Sequence, residues 1–138
     1  MKTGQLVLIL MVLLAGCSNP GPTAPETPGK SFREQAVVES IEVVMLTSFP
    51  LQVHLHVSGY LGDPCTEIKE VQTQRQDYRF EITISTERAA GADCIQVIEP
   101  FELNIPLDVY GLPAGDYLVQ VNGVEAGFSF SQDNILGQ

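Results

Sequence analysis

The sequence predicts an all-β fold, an antiparallel sandwich of seven strands between residues 36 and 131. Apolar residues recur at every second position in several short segments, as in half-buried strands. Asn122-Gly123 joins two of these segments with the residues that a tight hairpin turn requires. No segment shows a convincing amphipathic helix, so a sandwich is favoured over a βαβ arrangement, which needs helical crossovers.

The first predicted strand has a less regular apolar alternation than the second. Residues 37–46 form a strand whose apolar side chains occupy both parities, so a short helix at 32–38 remains an alternative. Residues 51–58 alternate strictly, which predicts one buried face and one polar face. His54 and His56 both lie on the polar face.

The next three predicted strands are separated by turn residues. In residues 66–75 the apolar residues move from one face of the strand to the other, which indicates a bulge or a poorly buried edge. Residues 79–85 alternate clearly. Residues 101–109 contain Pro106, which has no N–H to donate, so this strand is expected at a sheet edge or at a break.

The last two predicted strands, 117–121 and 124–130, form the densest apolar hairpin. Its predicted inward-facing residues are Tyr117, Val119, Val121, Val124, Ala126, Phe128 and Phe130. The segment Gly115-Asp116-Tyr117 at its start resembles the entry to the penultimate strand of immunoglobulin-like domains, where a tyrosine forms a corner. The resemblance implies an immunoglobulin-like sandwich with Tyr117 at that corner, and it implies no function.

An apolar run at 6–15 follows Lys2 and closes with Leu14-Ala15-Gly16-Cys17. As a helix the run spans about 15 Å, half of the ~30 Å needed to cross a bilayer core. The motif resembles the lipobox of bacterial lipoproteins. The resemblance implies that residues 1–16 are a cleaved signal peptide and that Cys17 carries the lipid, which anchors the chain permanently. The same resemblance implies that Ser18 after the cysteine favours the outer membrane or cell surface in an organism with two membranes.

Residues 17–35 are predicted to be a lipid-anchored linker, because prolines at positions 20, 22, 25 and 28 accompany very few apolar residues. Residues 132–138 are predicted to be a flexible tail. Loss of Lys2 with the signal peptide leaves six Lys and Arg residues against 17 Asp and Glu residues, a net charge of −11. This charge repels phosphates and anionic lipid headgroups, so nucleic acid is not an expected partner.

Cys65 and Cys94 remain once Cys17 is lipidated, and an oxidising compartment predicts a disulfide between them. The alternatives are free thiols or a catalytic Cys-His pair. His54 and His56 share a strand face and are the candidates for metal ligation. Because a metal site needs further ligands, which the sequence does not place there, we expect no metal and no cofactor.

The sequence lacks a nucleophile elbow, a phosphate-binding glycine loop, a calcium loop and a zinc-type cysteine pair, so no enzyme is expected. We expect a noncatalytic binding or structural module on the cell envelope, with an envelope or extracellular protein or glycan as partner. One alternative is a protease inhibitor with an exposed loop at 59–64 or 89–93. Another is metal handling through His54 and His56. The loop carboxylates are interpreted as solubilising charges: Asp63, Glu67, Asp93 and Glu99.

Overall fold

The computed structural model describes residues 32–91 and 93–136, and it confirms the predicted all-β sandwich. The predicted signal peptide, Cys17 and the linker up to residue 31 lie outside the described residues. Within these described ranges there are eight strands, one more than predicted. The strands are β1 (Phe32–Gln35), β2 (Val37–Leu46), β3 (Gln52–Leu61), β4 (Thr66–Gln76), β5 (Arg79–Arg88), β6 (Glu99–Leu107), β7 (Gly115–Val121) and β8 (Val124–Phe130).

The additional strand is β1, which lies in residues assigned by the sequence to the linker or to a short helix. It pairs antiparallel with the second half of β5, with Phe32 opposite Arg88. β7 lies along the same edge of β5, beside its first half, and this pair is parallel. The expectation of a wholly antiparallel sandwich is therefore wrong at one pair, because β1 and β7 approach one edge of β5 from opposite ends.

The strands form two sheets, and the positions of β3, β4 and β6 in them agree with the residue patterns of these strands. One sheet has the order β1-β5-β7-β8, with β4 on the other edge of β5, and the second has the order β2-β3-β6. β3 is central in its sheet and buries alternate residues, as predicted. β6 is an edge strand, as Pro106 predicted. β4 is also an edge strand, with a register shift between Ile68 and Glu70 that confirms the predicted bulge.

The core lies between the sheets, and the predicted hairpin of β7 and β8 is its main aromatic contributor. The Tyr117 ring stacks on Phe128 at 5.1 Å between centroids and contacts Phe130 at 5.5 Å. The Tyr117 hydroxyl donates to the Pro113 carbonyl at 2.8 Å, which is the hydrogen bond of a corner tyrosine. Burial of the hydroxyl raises the pKa of Tyr117 above its ordinary value.

Asn122-Gly123 forms the predicted turn, with φ of 44° and 92°. The Asn122 side chain also completes the edge of β5 in the gap between β1 and β7. Its Nδ2 donates to the carbonyls of Ala36 at 2.8 Å and Ile84 at 3.0 Å, and its Oδ1 accepts from Ile84 N–H at 2.9 Å. One side-chain amide thus supplies the hydrogen bonds that a strand residue would make.

The strand directions place the described loops at two ends of the sandwich. The basal end contains the start of β1, the loop from β3 to β4 and the loop from β5 to β6. The apical end contains the loops at 47–51 and 108–114 and the segment at 131–136. Within the described ranges, no helix is long and apolar enough to cross a membrane.

Candidate functional site

A buried asparagine joins three chain segments at the apical end. Asn134 is 1% exposed, and its Nδ2 donates to the carbonyls of Leu51 and Val109, both at 2.9 Å. Its Oδ1 accepts from Leu51 N–H at 2.7 Å. The Asn134 backbone donates to Leu112 at 2.8 Å and accepts from Gly111 at 2.9 Å. The tail predicted to be flexible from residue 132 is therefore packed into the domain as far as Asn134.

Each of the three joined segments presents a large apolar side chain to solvent. We call these side chains the apical patch: Phe49 at 53%, Tyr110 at 61%, Ile135 at 46% and Leu136 at 55% exposure. Neighbouring positions carry exposed carboxylates at Asp108 and Asp133. Exposed aromatic and aliphatic side chains carried on neighbouring loops are typical of protein interfaces. The apical patch is the candidate binding surface.

Local hydrogen bonds hold the loops that carry the apical patch. The Asp133 carboxylate accepts from Ala114 N–H at 2.8 Å, which fixes the C-terminal segment to the loop after β6. Gly111 adopts a φ of 79° directly after Tyr110, a conformation that suits a residue without a Cβ. Ser48 Oγ donates to the Pro50 carbonyl at 2.9 Å in the loop that carries Phe49.

The two histidines lie on the polar outer face of β3, as predicted. His54 Nδ1 lies 3.0 Å from Asn104 Oδ1 on β6. His56 borders an open depression of about 540 Å³, opposite Glu42 on one side and Asn104 on the other. In the part of the chain that the structure describes, neither histidine joins a group of three or more potential metal ligands. The absence of a metal from this protein stays a prediction.

The predicted disulfide between Cys65 and Cys94 is present, with 6.2 Å between the Cα atoms, and it closes a separation of 29 residues. Cys65 and Cys94 are therefore neither free thiols nor members of a Cys-His pair in this structure. Asp63 lies beside the bridge, but the sulfur atoms are bonded to each other, so these three residues do not form a metal site.

Asp63 is instead the acceptor of a structural network at the basal end. Its carboxylate accepts from Arg88 Nε at 2.7 Å, from Thr66 Oγ1 at 3.0 Å and from Cys65 N–H at 3.0 Å. The Arg88 hydrogen bond above all, with those from Thr66 and Cys65, lowers the pKa of Asp63 below its ordinary value against the opposing effect of burial.

The remaining predicted residues do not converge on one site. Glu67 lies within β4, Glu99 begins β6, and Asp93 lies in the exposed loop between β5 and β6. The prediction of an exposed inhibitor loop at 59–64 is wrong for residues 59–61, because these residues belong to β3. Gly59 is buried there so tightly that a Cβ would overlap the Val37 carbonyl oxygen. Residues 89–91 and 93 do lie in an exposed loop.

Sequence reasoning missed Asn134 and the apical patch. A single asparagine in a polar stretch has no periodicity that distinguishes it from a surface residue. The one available signal was Ile135-Leu136, two apolar residues at the end of a polar segment. The convergence itself depends on contacts across more than 80 residues of sequence, between Leu51 and Asn134.

Comparison with known proteins identifies relatives of the domain. An uncharacterized 10.2 kDa protein in the HgiCIIM 5' region of Herpetosiphon aurantiacus is 32% identical over 88 residues, covering 64% of this chain and 93% of the relative. A second 10.2 kDa protein, in the HgiBIM 5' region of the same organism, is 35% identical over 77 residues, covering 56% and 93%. No solved structure matches the chain significantly.

The profile of the ORF11 beta-sandwich domain matches residues 55–131, more than half of the chain. The match begins within β3 and ends one residue after β8, so it includes the Cys65–Cys94 disulfide and the Tyr117 corner. The two-sheet architecture agrees with the description of that family. This chain belongs to the ORF11 beta-sandwich domain family.

Proposed function

We propose that this protein is a noncatalytic binding module of the bacterial cell envelope, anchored through a lipid on Cys17, and that its apical patch binds a protein partner. The signal peptide and lipobox at 1–17 support the anchor. The Cys65–Cys94 disulfide supports an extracytoplasmic location, because such bridges persist in oxidising compartments. Ser18 supports the outer membrane or cell surface.

The observation that carries the proposal is the convergence at Asn134. Three segments that are distant in sequence are held together by one buried side chain, and each segment then exposes an apolar side chain of the apical patch. Exposing such side chains in water is unfavourable, by about 25 cal/mol for each Å² that a partner would bury. A rigid framework under an exposed apolar surface is the arrangement that binding sites use.

The chemistry of the surface indicates the class of partner. Tyr110 supplies the single polar group among the four patch side chains, whereas a glycan requires several directed hydrogen bonds. Asp108 and Asp133 are exposed and lie within two residues of patch residues in the chain, and the mature chain is strongly acidic. The partner is therefore a protein with an apolar centre and a basic rim.

The experiment uses the full chain, matured in a bacterial host and purified in detergent, as bait for solubilised envelope proteins of the source organism. We expect a partner that is retained by the natural sequence and lost with Tyr110→Asp combined with Ile135→Asp. Val71→Asp is the matched control, because Val71 is also an exposed apolar residue but lies on β4, away from the apical end. An identical set of retained proteins for all three baits would overturn the proposal.

The anchor has its own test. Cys17→Ser should abolish metabolic labelling of the chain with a radioactive fatty acid and release the protein from the membrane fraction. Cys94→Ser is the control, since it removes a cysteine without affecting the proposed lipid site. Acyl label that persists on the Cys17→Ser variant would contradict the lipoprotein assignment.

A further inference from the structure

A second exposed apolar surface lies at the basal end, and the proposed function does not use it. Residues 95–98 follow Cys94 in the loop before β6 and carry three β-branched aliphatic side chains. Ile95 is 70% exposed, Val97 53% and Ile98 59%. We call residues 95–98 the basal segment. So much aliphatic surface in four consecutive residues is unusual for a loop and marks an interaction surface.

The basal segment is held firmly at both ends. Cys94 precedes it and is bonded to Cys65, next to the start of β4. Glu99 follows it as the first residue of β6 and pairs with Leu61. Within the segment, Val97 N–H donates to the Ile95 carbonyl at 3.0 Å, which closes a tight turn. The three aliphatic side chains are therefore carried on an exposed loop that is anchored at both ends, so that ordering it costs little entropy on binding.

The chain enters the domain at this same end. β1 begins at Phe32, opposite Arg88, the last residue of β5 before the loop that contains the basal segment. Fourteen residues separate Phe32 from Cys17, and they reach at most about 50 Å when fully extended. The basal end can touch a bilayer without any extension of this tether. The apical end lies farther away by the length of a ten-residue strand, about 33 Å.

We propose that the basal segment inserts into the interfacial region of the bilayer that holds the Cys17 lipid, so that the domain stands upright with the apical patch facing away. This inference rests on the proposed lipid anchor. Aliphatic side chains without hydrogen-bonding groups suit the boundary between headgroups and acyl chains. Asp93 and Glu99 flank the segment, so insertion depends on apolar contact and is opposed by anionic headgroups.

The natural chain contains no tryptophan, so one substitution creates a unique fluorescent reporter. The experiment places Val97→Trp in the full lipidated chain, reconstituted into phosphatidylcholine vesicles that contain lipids brominated high on the acyl chain. We expect at least twofold quenching and a blue-shifted emission. Tyr110→Trp, at the apical end, is the matched control and should remain unquenched. Equal quenching of the two reporters, or no quenching of Val97→Trp, would overturn the proposal.

A second variant separates insertion from other causes. Ile95→Asp with Ile98→Asp, added to the Val97→Trp reporter, should reduce quenching to the control level while the disulfide between Cys65 and Cys94 still forms. Including one third of phosphatidylglycerol in the vesicles should weaken quenching of the parent reporter. A blue shift without quenching by bromine would assign the segment to a protein contact, for instance a second copy, and would contradict insertion.

The lipid anchor on Cys17 and the insertion of the basal segment are tested by separate measurements. Fatty-acid labelling of the same preparation decides whether Cys17 is acylated, independently of the fluorescence. If Cys17 carries no acyl chain, the proposed anchor is wrong, and the Val97→Trp chain added to brominated vesicles still tests the basal segment. Quenching would then support insertion, and its absence would overturn it.

Discussion

The two ends of the sandwich are closed by different chemistry. At the basal end, the Cys65–Cys94 bond and the Asp63–Arg88 ion pair connect the loops around β4 and β5. At the apical end, hydrogen bonds of the buried Asn134 join the loops and the C-terminal segment. The disulfide holds its loops covalently, whereas the buried amide holds its partners through hydrogen bonds that are costly to leave unmade.

The two ends therefore respond differently to reducing conditions and to acid. The basal end depends on an oxidising environment and on the ionisation of Asp63. The apical end depends mainly on close packing and on the hydrogen bonds of the buried Asn134 side chain, which carries no titratable group. Of the four variants that follow, the first weakens the core that both ends share, and the other three distinguish the two ends.

The largest effect is expected for Phe128→Ala, which removes a ring that contacts Tyr117, Phe80 and Phe130. The loss of buried area and the cavity should cost about 3 to 5 kcal/mol and destabilise both ends equally. Denaturant unfolding measures the change. Glu125→Ala, on the outer face of the same strand, should cost under about 0.5 kcal/mol, because its ion pair with Arg79 is exposed. Equal midpoints for the two variants would show that the assigned facing of β8 is wrong.

The next effect is expected for Cys65→Ala combined with Cys94→Ala. Opening a loop of this length should cost roughly 3 to 4 kcal/mol through the entropy of the unfolded chain. Amide hydrogen exchange should then rise at 62–65 and 93–98 more than at the apical loops. Faster exchange confined to the apical end would contradict the division into two independently closed ends.

Asn134→Ala tests the apical end in the same way. The substitution leaves the N–H and C=O of Leu51 and the C=O of Val109 without their side-chain partner, at a cost of about 2 to 3 kcal/mol. Exchange should rise at 47–51 and 108–114. Asn104→Ala is the control, because Asn104 bonds His54 at the exposed surface and should change stability by less than about 0.5 kcal/mol. Similar losses for both asparagines would show that burial of Asn134 is unimportant.

The smallest effect concerns pH and acts through Asp63 at the basal end. The pKa of Asp63 is lowered in the folded protein, first by its hydrogen bond with Arg88. The folded state therefore binds the proton less tightly than the unfolded state, whose carboxyl titrates near pH 3.9. The stability contributed by Asp63 is present above that pH and is lost as the pH falls through the lowered folded pKa.

Thermal unfolding between pH 2 and pH 6 should therefore show an acid-dependent decrease that is smaller in Asp63→Asn, which has no carboxylate to protonate. Asp133→Asn is the control, because Asp133 accepts one exposed hydrogen bond at the apical end. Identical pH profiles for the natural chain and Asp63→Asn would contradict the lowered pKa.

Local sequence patterns predicted most of the sandwich. Alternation identified β3, β5 and the hairpin of β7 and β8, because a strand with one buried face must alternate. Pro106 placed β6 at an edge, since its nitrogen cannot join a ladder. The cysteine count and the expectation of export predicted the disulfide, because two thiols in an oxidising compartment pair when the fold brings them together.

β1 was not predicted because a strand of four residues is too short to show periodicity. Its position beside β5 also depends on β7, which pairs with only half of that edge of β5. Asn122 was predicted as a turn residue, but its bonds to Ala36 and Ile84 require three strands to meet. Such roles arise from contacts between segments far apart in sequence, which no local pattern encodes.

The sequence by itself therefore determined the strand segments other than β1, the inward faces of the alternating strands, the turn at Asn122-Gly123 and the cysteines available for pairing, because these follow from local periodicity and composition. Only the tertiary structure decided which loops meet at each end. In the folded domain, Asn134 packs between Leu51 and Val109, and the apical patch and the basal segment are exposed. Exposure depends on which surfaces remain uncovered once the sheets have packed, and that is a property of the assembled domain.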